Sequence, residues 1–249
     1  MLFLWKDDMV RFMRDASERS DFHALLAQKI AGNLGTGGHI CDAGCGLGYL
    51  SQALSPYYDR VTAIDVAPNA ISRLQGIAPP NVTAVCGDIH SYSPEVPYDK
   101  MVFCLFGALP EIFSLARRQC RGKVIIIKKN WRCHTFSVTR QPNHSLSLAE
   151  VAARLDARHI PHEAEACALE LGQPLRSMED AVKFFRLYSH DPDPDSITAA
   201  QIAHRLESTG DPEFPYYVPA RKQLGILTLD ACDIPADPDL FGGLHESSV

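Results

Sequence analysis

The sequence predicts an α/β fold built on a seven-stranded, mostly parallel sheet. Short apolar segments alternate with segments of helical periodicity between residues 39 and 130. The fifth apolar segment is β-branched throughout its core, from Val124 to Ile127. Strands that are apolar along their whole length are typical of parallel sheets that helices cover on both faces. A glycine-rich turn directly after the first apolar segment lies where such sheets usually bind ligands.

The order of the elements follows from the position of each apolar run. Helical spacing of apolar residues predicts two helices before the sheet, one over residues 5–16 and one that begins at residue 22 and ends near Gly32 or Gly35. Five strands are predicted, at 39–43, 60–66 and 81–88, within 98–109, and at 122–130, with helices between them at 48–56, 67–78 and 110–120. The last two strands are predicted near 163–171 and 220–231, with helices at 145–159, 177–189 and 196–208. We therefore expect one domain overall, in which a helical insertion at residues 175–219 precedes the last strand.

Composition and charge narrow the class of protein. The chain has 249 residues, of which 46% are hydrophobic and 22% charged, as in ordinary globular proteins. Its formal net charge of −6 argues against nucleic acid as a partner, because proteins that bind nucleic acid normally carry a basic surface. No apolar run approaches the roughly 18 residues of a membrane span, and acidic residues directly after Met1–Trp5 argue against a signal peptide. We expect a cytoplasmic protein that does not bind membranes.

The eight cysteines are scattered along the chain and form no C-x-x-C pair. Zinc sites and small disulfide frameworks use close and regular cysteine spacings. We therefore expect free thiols and no bound metal.

Residues 40–50 read ICDAGCGLGYL, with glycines at the alternate positions 44, 46 and 48. A dinucleotide-binding turn has the spacing G-x-G-x-x-G, whose third glycine permits close packing of the helix on the strand. Here Tyr49 stands at that third position, and Asp42 precedes the first glycine by two residues. An acidic residue at this point suits a ligand with a cationic group better than a phosphate. A nicotinamide dinucleotide is therefore disfavoured, and a turn whose glycines only relieve backbone strain is the structural alternative.

This stretch resembles motif I of the class I S-adenosylmethionine-dependent methyltransferases, in which an acidic residue precedes three alternate glycines. Two further segments match that family in their positions at strand ends. Asp65 ends the second predicted strand, and CGDIH, residues 86–90, ends the third. The resemblance implies a Rossmann-like methyltransferase sandwich with S-adenosylmethionine as cofactor, with Asp65 at the ribose hydroxyls and Asp88 and Ile89 at the adenine. The cofactor contacts that it implies are Asp42, Ala43, Gly44, Gly46, Tyr49, Asp65, Val66, Asp88, Ile89 and Leu105. Caps and turn contacts within the chain are the alternative roles for the three aspartates.

The resemblance also implies an enzyme that transfers a methyl group by in-line displacement. We expect a small-molecule acceptor, because the (N/D)-P-P-(Y/F) motif of nucleic-acid amino methyltransferases is absent from the CLFGALPE segment after the fourth strand. An RNA or protein methyltransferase and a non-catalytic partner that binds S-adenosylmethionine are the alternatives. In small-molecule members of the family, N-terminal helices often close over the cofactor. Residues 1–35 are therefore interpreted as a cap, and residues 36–249 as the catalytic domain.

Two regions are candidates for the acceptor site. KKNWRCHTFSVTR, residues 128–140, concentrates positive charge after the fifth strand, which suits a carboxylate or phosphate on the acceptor. FFRLYSHD, residues 184–191, and FPYYVPARK, residues 214–222, add aromatic rings that suit an apolar or aromatic acceptor. The predicted acceptor contacts are Lys129, Trp131, Arg132 and Tyr216, and the candidate catalytic residues are His134, Tyr188 and His190. A solvated basic loop, non-catalytic histidines and a purely structural aromatic core are the alternatives.

Overall fold

The computed structural model describes residues 5–236 and has a seven-stranded central sheet. Its strands are β1 (His39–Ala43), β2 (Arg60–Asp65), β3 (Val82–Cys86), β4 (Tyr98–Cys104), β5 (Cys120–Lys129), β6 (Glu163–Glu170) and β10 (Arg221–Asp230). The helices that precede or connect them are α1 (Asp7–Glu18), α2 (Phe22–Leu34), α3 (Tyr49–Leu54), α4 (Pro68–Ile77), α5 (Leu109–Gln119) and α6 (Leu148–Asp156). The strand order is β3-β2-β1-β4-β5-β10-β6, and β1 to β5 run parallel, which confirms the predicted fold class.

Strand β10 breaks the parallel pattern, since it lies antiparallel between β5 and β6. Its register pairs Leu224 with Lys129 and Ile226 with Ile127. The first residues of β10 therefore lie beside the last residues of β5. This pairing brings residues from distant parts of the chain to one edge of the sheet.

Helices cover both faces of the sheet, and each face has its own buried cluster. On one face, Leu26 and Leu54 from α2 and α3 pack with Ile125 of β5. On the other face, Ile112 of α5 and Leu155 of α6 belong to the second cluster. Burial on both faces explains why the strands are apolar along their whole length. Within residues 5–236, none of the helices combines the length and apolar character needed to cross a membrane.

The segment between β6 and β10 differs from the purely helical insertion predicted for residues 175–219. It contains α7 (Met178–Tyr188) and the short α8 (Ala199–Ala203), and also a second sheet of three strands, β7 (Gln173–Leu175), β9 (Tyr216–Val218) and β8 (Glu207–Ser208). A Cβ atom on Gly172 would lie 2.2 Å from Tyr217 Oη, so this glycine lets the chain pass close to β9 on its way into β7. Strands of two or three residues carry too little periodicity for the sequence to predict them.

Helix α1 packs on this insertion through aromatic rings and ion pairs. Phe12 meets Phe184 edge to face, with ring centroids 5.4 Å apart. Arg11 donates hydrogen bonds of 2.8 Å to both carboxylate oxygens of Asp180, which lies on α7. The assignment of residues 1–35 as a cap stays a prediction, and residues 1–4 lie outside the described part of the chain.

His23 on α2 makes the stability of this fold sensitive to acid. Its ring packs against Tyr49, and burial lowers the pKa of His23 from 6.5 to about 4. The folded protein therefore takes up this proton later than the unfolded chain as the pH falls, and stability is lost between about pH 6.5 and 4. Over this pH range, we expect the free energy of unfolding of His23→Gln to fall by about 2 kcal/mol less than that of the wild type. Urea unfolding at several pH values measures the difference.

The exposed His204, which follows α8, provides the control. His204→Gln should leave the acid sensitivity unchanged. An identical pH dependence in wild type and His23→Gln would contradict the prediction.

Candidate functional site

The carboxyl ends of four parallel strands meet at one edge of the central sheet. In the register of the sheet, Ala43 of β1 pairs with Ile64 of β2 and with Phe103 of β4. Cys104 of β4 pairs in turn with Ile127 of β5. The loops that follow these strands are therefore neighbours, and in open α/β sheets this edge is where ligands bind.

The loop after β1 approaches its neighbours so closely that it requires glycine. Gly44 has a φ of 72°, and a Cβ atom there would lie 2.3 Å from two ring atoms of Phe106. Gly46 has a φ of 53°, and its Cβ atom would lie 3.0 Å from the ring of Trp5. The amides of Gly44 and Cys45 both donate to the carbonyl of Ile64, at 2.9 and 3.0 Å. Hydrogen bonds thus fix the loop on β2, and its glycine backbone lies against the rings of Phe106 and Trp5.

Two carboxylates flank this loop. Asp42 is buried and accepts a hydrogen bond of 2.5 Å from Ser51 Oγ. Burial raises the pKa of Asp42 to about 6, against the opposing effect of the Ser51 hydrogen bond. Asp65 ends β2, and its two carboxylate oxygens accept from the amides of Gly46 at 2.8 Å and Ala67 at 2.9 Å. Asp65 therefore holds the loop and caps the start of α4, and each of its oxygens keeps a further lone pair for a ligand.

The segment after β3 contains two of the other predicted cofactor contacts. Asp88 is exposed and accepts a hydrogen bond of 2.9 Å from the amide of His90, as expected of a turn residue. The side chain of Ile89 lies in the apolar core, and its carbonyl accepts from Gln119 Nε2 at 2.9 Å. A ligand contact by Asp88 or Ile89 stays a prediction.

The remaining predicted cofactor contacts lie at the same edge of the sheet. Ala43 is buried in the core, so only its backbone faces the loop, and Val66 follows β2 in a partly buried position. The ring of Tyr49, at the start of α3, lies against His23 with centroids 5.6 Å apart. Leu105 has a φ of 55° and is 45% exposed, and β4 ends just before it at Cys104, within the segment predicted to contain this strand. An exposed leucine with a strained backbone is typical of a functional loop.

The two candidate catalytic histidines lie against each other. The rings of His134 and His190 are stacked, with centroids 3.9 Å apart and an angle of 21° between their planes. Desolvation, together with the positive charge of Lys129, lowers the pKa of His134. Desolvation and the neighbouring His134 lower the pKa of His190 to about 4. Both rings are therefore neutral at neutral pH, and each has a nitrogen that accepts a proton.

Two lysines approach Trp131 in the same region. The Nζ atoms of Lys129 and Lys222 lie 5.9 and 5.8 Å from the centroid of the Trp131 ring. Lys222 Nζ also lies 3.9 Å over the ring of Phe136. Sequence reasoning missed Lys222, because only the antiparallel register of β10 brings it to the end of β5.

Two side chains of the insertion fix the loop that carries His134. Asp191 is buried and accepts hydrogen bonds from Ser137 Oγ at 2.9 Å and from the amides of Val138 and Thr139 at 3.0 Å. Arg205 donates to the carbonyl of Ser137 at 2.6 Å and to the carbonyl of Thr135 at 2.8 Å. The loop and the segment after α7 therefore form one unit, and the sequence held no signal for this pairing of distant residues.

The other three predicted acceptor-site residues lie around this unit. Tyr188 packs against both Phe12 and Phe184, and burial raises its pKa to about 12. Arg132 is exposed. Tyr216 lies in β9 and packs against the apolar cluster of the insertion. The structure thus brings Lys129, Trp131, His134 and His190 together and places Tyr188 in the aromatic core. The roles of the four predicted acceptor contacts and of the three candidate catalytic residues stay predictions.

Residues 40–123 match the family model of a methyltransferase domain. The matched segment contains the glycine loop, Asp65, Asp88 and the whole of β4. No curated protein matches the chain.

Several solved structures share the fold. A protein of Anaeromyxobacter dehalogenans assigned as a type II methyltransferase is 19% identical with a TM-score of 0.53, and the match covers 86% of this chain and 98% of that chain. The YcgJ protein of Bacillus subtilis is 12% identical with a TM-score of 0.51, over 83% of this chain and 96% of that chain. An S-adenosylmethionine-dependent methyltransferase of Thiobacillus denitrificans, in complex with S-adenosylhomocysteine, is 15% identical with a TM-score of 0.50, over 86% of this chain and 96% of that chain. Likeness at these identities establishes a shared fold.

Proposed function

We infer that this chain, which carries a class I methyltransferase domain, transfers the methyl group of S-adenosylmethionine to a small-molecule acceptor. The observation that carries this inference is the loop after β1. Its glycines have positive φ, and the carboxylates of Asp42 and Asp65 flank it at the ends of β1 and β2. The match to the methyltransferase family model supports this inference, since the matched residues include the whole loop.

The chemistry of these residues fits S-adenosylmethionine. The cofactor has a cationic sulfonium and an ammonium group, which carboxylates stabilise, and ribose hydroxyls, which donate to carboxylate oxygens. Asp65 uses two of its lone pairs on backbone amides and has others for hydroxyl groups. The rings of Trp5 and Phe106 beside Gly46 and Gly44 suit a cation and a planar base.

When bound, S-adenosylmethionine supplies an electrophilic methyl group on a positively charged sulfur. The protein has to orient the acceptor, exclude water and remove any proton that the acceptor atom loses. We assign proton acceptance to the neutral His134 or His190, whose stacked rings lie beside the carboxyl end of β5. Tyr188 packs against Phe12 of α1 and against Phe184, and we assign to these rings the exclusion of water on the side of α1.

The arrangement of the chain around the acceptor region favours a small acceptor. The loop with His134, the insertion and α1 pack on one another through Asp191, Arg205 and the Phe12–Phe184 contact. A polymer would need an open groove and, for RNA, a basic surface, whereas the chain carries a net charge of −6. A small molecule fits a region that the chain itself covers.

Asp65→Ala tests the cofactor site. The substitution removes a carboxylate that holds the loop and that we assign to the ribose hydroxyls, so S-adenosylhomocysteine should bind about 10- to 100-fold more weakly by isothermal titration calorimetry. Asp156→Ala, at a side chain that is 76% exposed on α6, is the matched control and should bind as wild type does.

Unchanged affinity in Asp65→Ala would remove Asp65 from the site. Failure of the wild type to bind S-adenosylhomocysteine would overturn the proposed function. Binding without turnover in a screen of small acceptors would instead identify a non-catalytic partner.

A further inference from the structure

We propose that the acceptor is a small organic anion, whose carboxylate or phosphate oxygens are held between Lys129 and Lys222 beside Trp131. The proposal rests on the methyl-transfer function above and names the class of acceptor for that same site. Four observations carry it: the placement of the two lysines, the lack of a carboxylate partner for either, the set of donors around them, and their position relative to the glycine loop.

The sheet places both lysines on one face at one end. Lys129 pairs with Leu224 across β5 and β10, and Lys222 lies two residues before Leu224. Residues two apart on a strand share a face, so Lys129 and Lys222 are diagonal neighbours, at a typical separation of roughly 7 to 8 Å. Both ammonium groups then approach the same indole, at 5.9 and 5.8 Å from its centroid. Two positive charges are thus directed into one small region.

Neither ammonium group has a carboxylate within 4.0 Å in the described part of the chain, unlike Lys29 and Lys183, which pair with Glu165 and Glu179. Burial and the charge of Lys129 lower the pKa of Lys222 to about 8, and Glu170 is the acidic group that opposes this shift. Its Oε1 already accepts hydrogen bonds from Tyr217 Oη and the amide of Ala220, each at 2.7 Å. The aromatic faces offset part of the cost of two neighbouring charges, and an anion between them would offset the rest.

The groups around the lysines add donors. Trp131 Nε1 is shielded from solvent and has no hydrogen-bond partner among residues 5–236. A buried polar atom of this kind normally has a partner, so an unmatched N–H beside two ammonium groups points to a missing acceptor. The neutral rings of His134 and His190 each offer one N–H as well. Oxygens with negative charge accept from all of these groups.

The other basic residues of the loop do not compete for this role. Lys128 lies on the opposite face of β5 from Lys129 and donates to the carbonyl of Gly107. Arg132 and Arg140 are exposed. The anion is therefore held by charges fixed on two paired strands and not by a flexible basic loop.

The position of the pair relative to the cofactor loop suits an acceptor. Lys129 ends β5, which is next to β4, and β4 is next to β1 and its glycine loop. An anionic group at Lys129 and Lys222 would leave the rest of the acceptor to extend along this edge toward the loop. The stacked rings of His134 and His190 are near enough to Lys129 for its charge to act on both, and we assign to them the proton that the methylated atom loses.

Binding of three benzene derivatives to the full chain, saturated with S-adenosylhomocysteine, tests the proposal by calorimetry. Benzoate and phenyl phosphate carry the two anionic groups, and benzamide keeps the shape of benzoate without its charge. We expect at least one anion to bind about tenfold more tightly than benzamide, and the preferred anion then distinguishes a carboxylate from a phosphate acceptor. Lys129→Met and Lys222→Met should each weaken anion binding about tenfold and leave the affinity for benzamide and for S-adenosylhomocysteine unchanged.

Two further variants control for folding and for general charge. Lys222→Arg keeps the charge and should retain most of the anion affinity. Lys183→Met removes an exposed ammonium that pairs with Glu179 on α7 and should have no effect. Equal affinity for benzoate and benzamide, no binding of either anion, or anion affinity unchanged in both methionine variants would overturn the proposal. Failure to bind S-adenosylhomocysteine would count against the methyltransferase function instead.

Discussion

Gly44→Ala should strongly weaken the binding of S-adenosylhomocysteine. An alanine there would keep a φ of 72°, which costs about 1 kcal/mol for a residue with a Cβ atom. Its Cβ atom would lie 2.3 Å from Cγ and Cδ2 of Phe106 and 2.9 Å from Cβ of Phe106. Rotation about the Cα–Cβ bond of Phe106 would move both ring atoms away but would leave Cβ in place, so the loop itself must shift. We expect the dissociation constant to rise by about 100-fold or more, measured by isothermal titration calorimetry.

Two comparisons make this result specific. Gly32→Ala lies in α2, where a new Cβ atom meets nothing within 4 Å, so it should leave the affinity unchanged and raise stability by about 0.5 to 1 kcal/mol. The double variant Gly44→Ala/Phe106→Gly removes all three contacts and should recover the melting temperature without recovering the affinity. Recovery of both would show that the displaced Phe106 ring, and not the loop backbone, causes the loss.

Asp191→Ala should cause the largest loss of stability outside the core of the sheet. The carboxylate is buried and accepts from the amides of Val138 and Thr139 and from the hydroxyls of Ser137 and Thr139. Its removal leaves two backbone N–H groups without partners, which costs about 3 kcal/mol in the free energy of unfolding. The loop should also become mobile, so methyl-transfer activity should fall more than affinity for S-adenosylhomocysteine.

Urea unfolding measures the first effect, and hydrogen exchange at the amides of Val138 and Thr139 measures the second. Asp195→Ala is the matched control, because Asp195 lies in the same segment with its side chain 84% exposed and pairs only with Arg186 among the ion pairs of the described residues. It should change stability by less than about 0.5 kcal/mol. Slow amide exchange in Asp191→Ala, equal to that of wild type, would show that Arg205 alone fixes the loop.

The sequence predicts the cofactor side of the site because its signals are local. The glycines directly follow β1, and Asp42 and Asp65 lie within the last two residues of β1 and β2, so a strand boundary and a few residues are enough to place them. Ser177 is a similar case: its side chain accepts from the amide of Asp180 at 3.1 Å, which confirms the predicted cap of α7. A single sequence can therefore predict features that depend only on residues close together in the chain.

The acceptor side depends on contacts between distant residues. Lys222 reaches Trp131 only through the register of β10, and Asp191 meets Ser137 only when the insertion has packed on the loop. Neither contact leaves a periodic pattern in the chain. The small sheet of β7, β8 and β9 was missed for the same reason, since its strands have three residues or fewer.

The position of β10 also has a consequence for how the chain is made. The residues of β5 and β6 are synthesised well before Arg221, the first residue of β10. In the sheet, β5 and β6 are connected through β10, which lies between them and pairs with each. Until then each exposes a strand edge with unsatisfied backbone groups, and such edges are sites of aggregation. Synthesis that stops or pauses before residue 221 would therefore leave a split sheet, and the nascent chain depends on β10 to join β5 to β6.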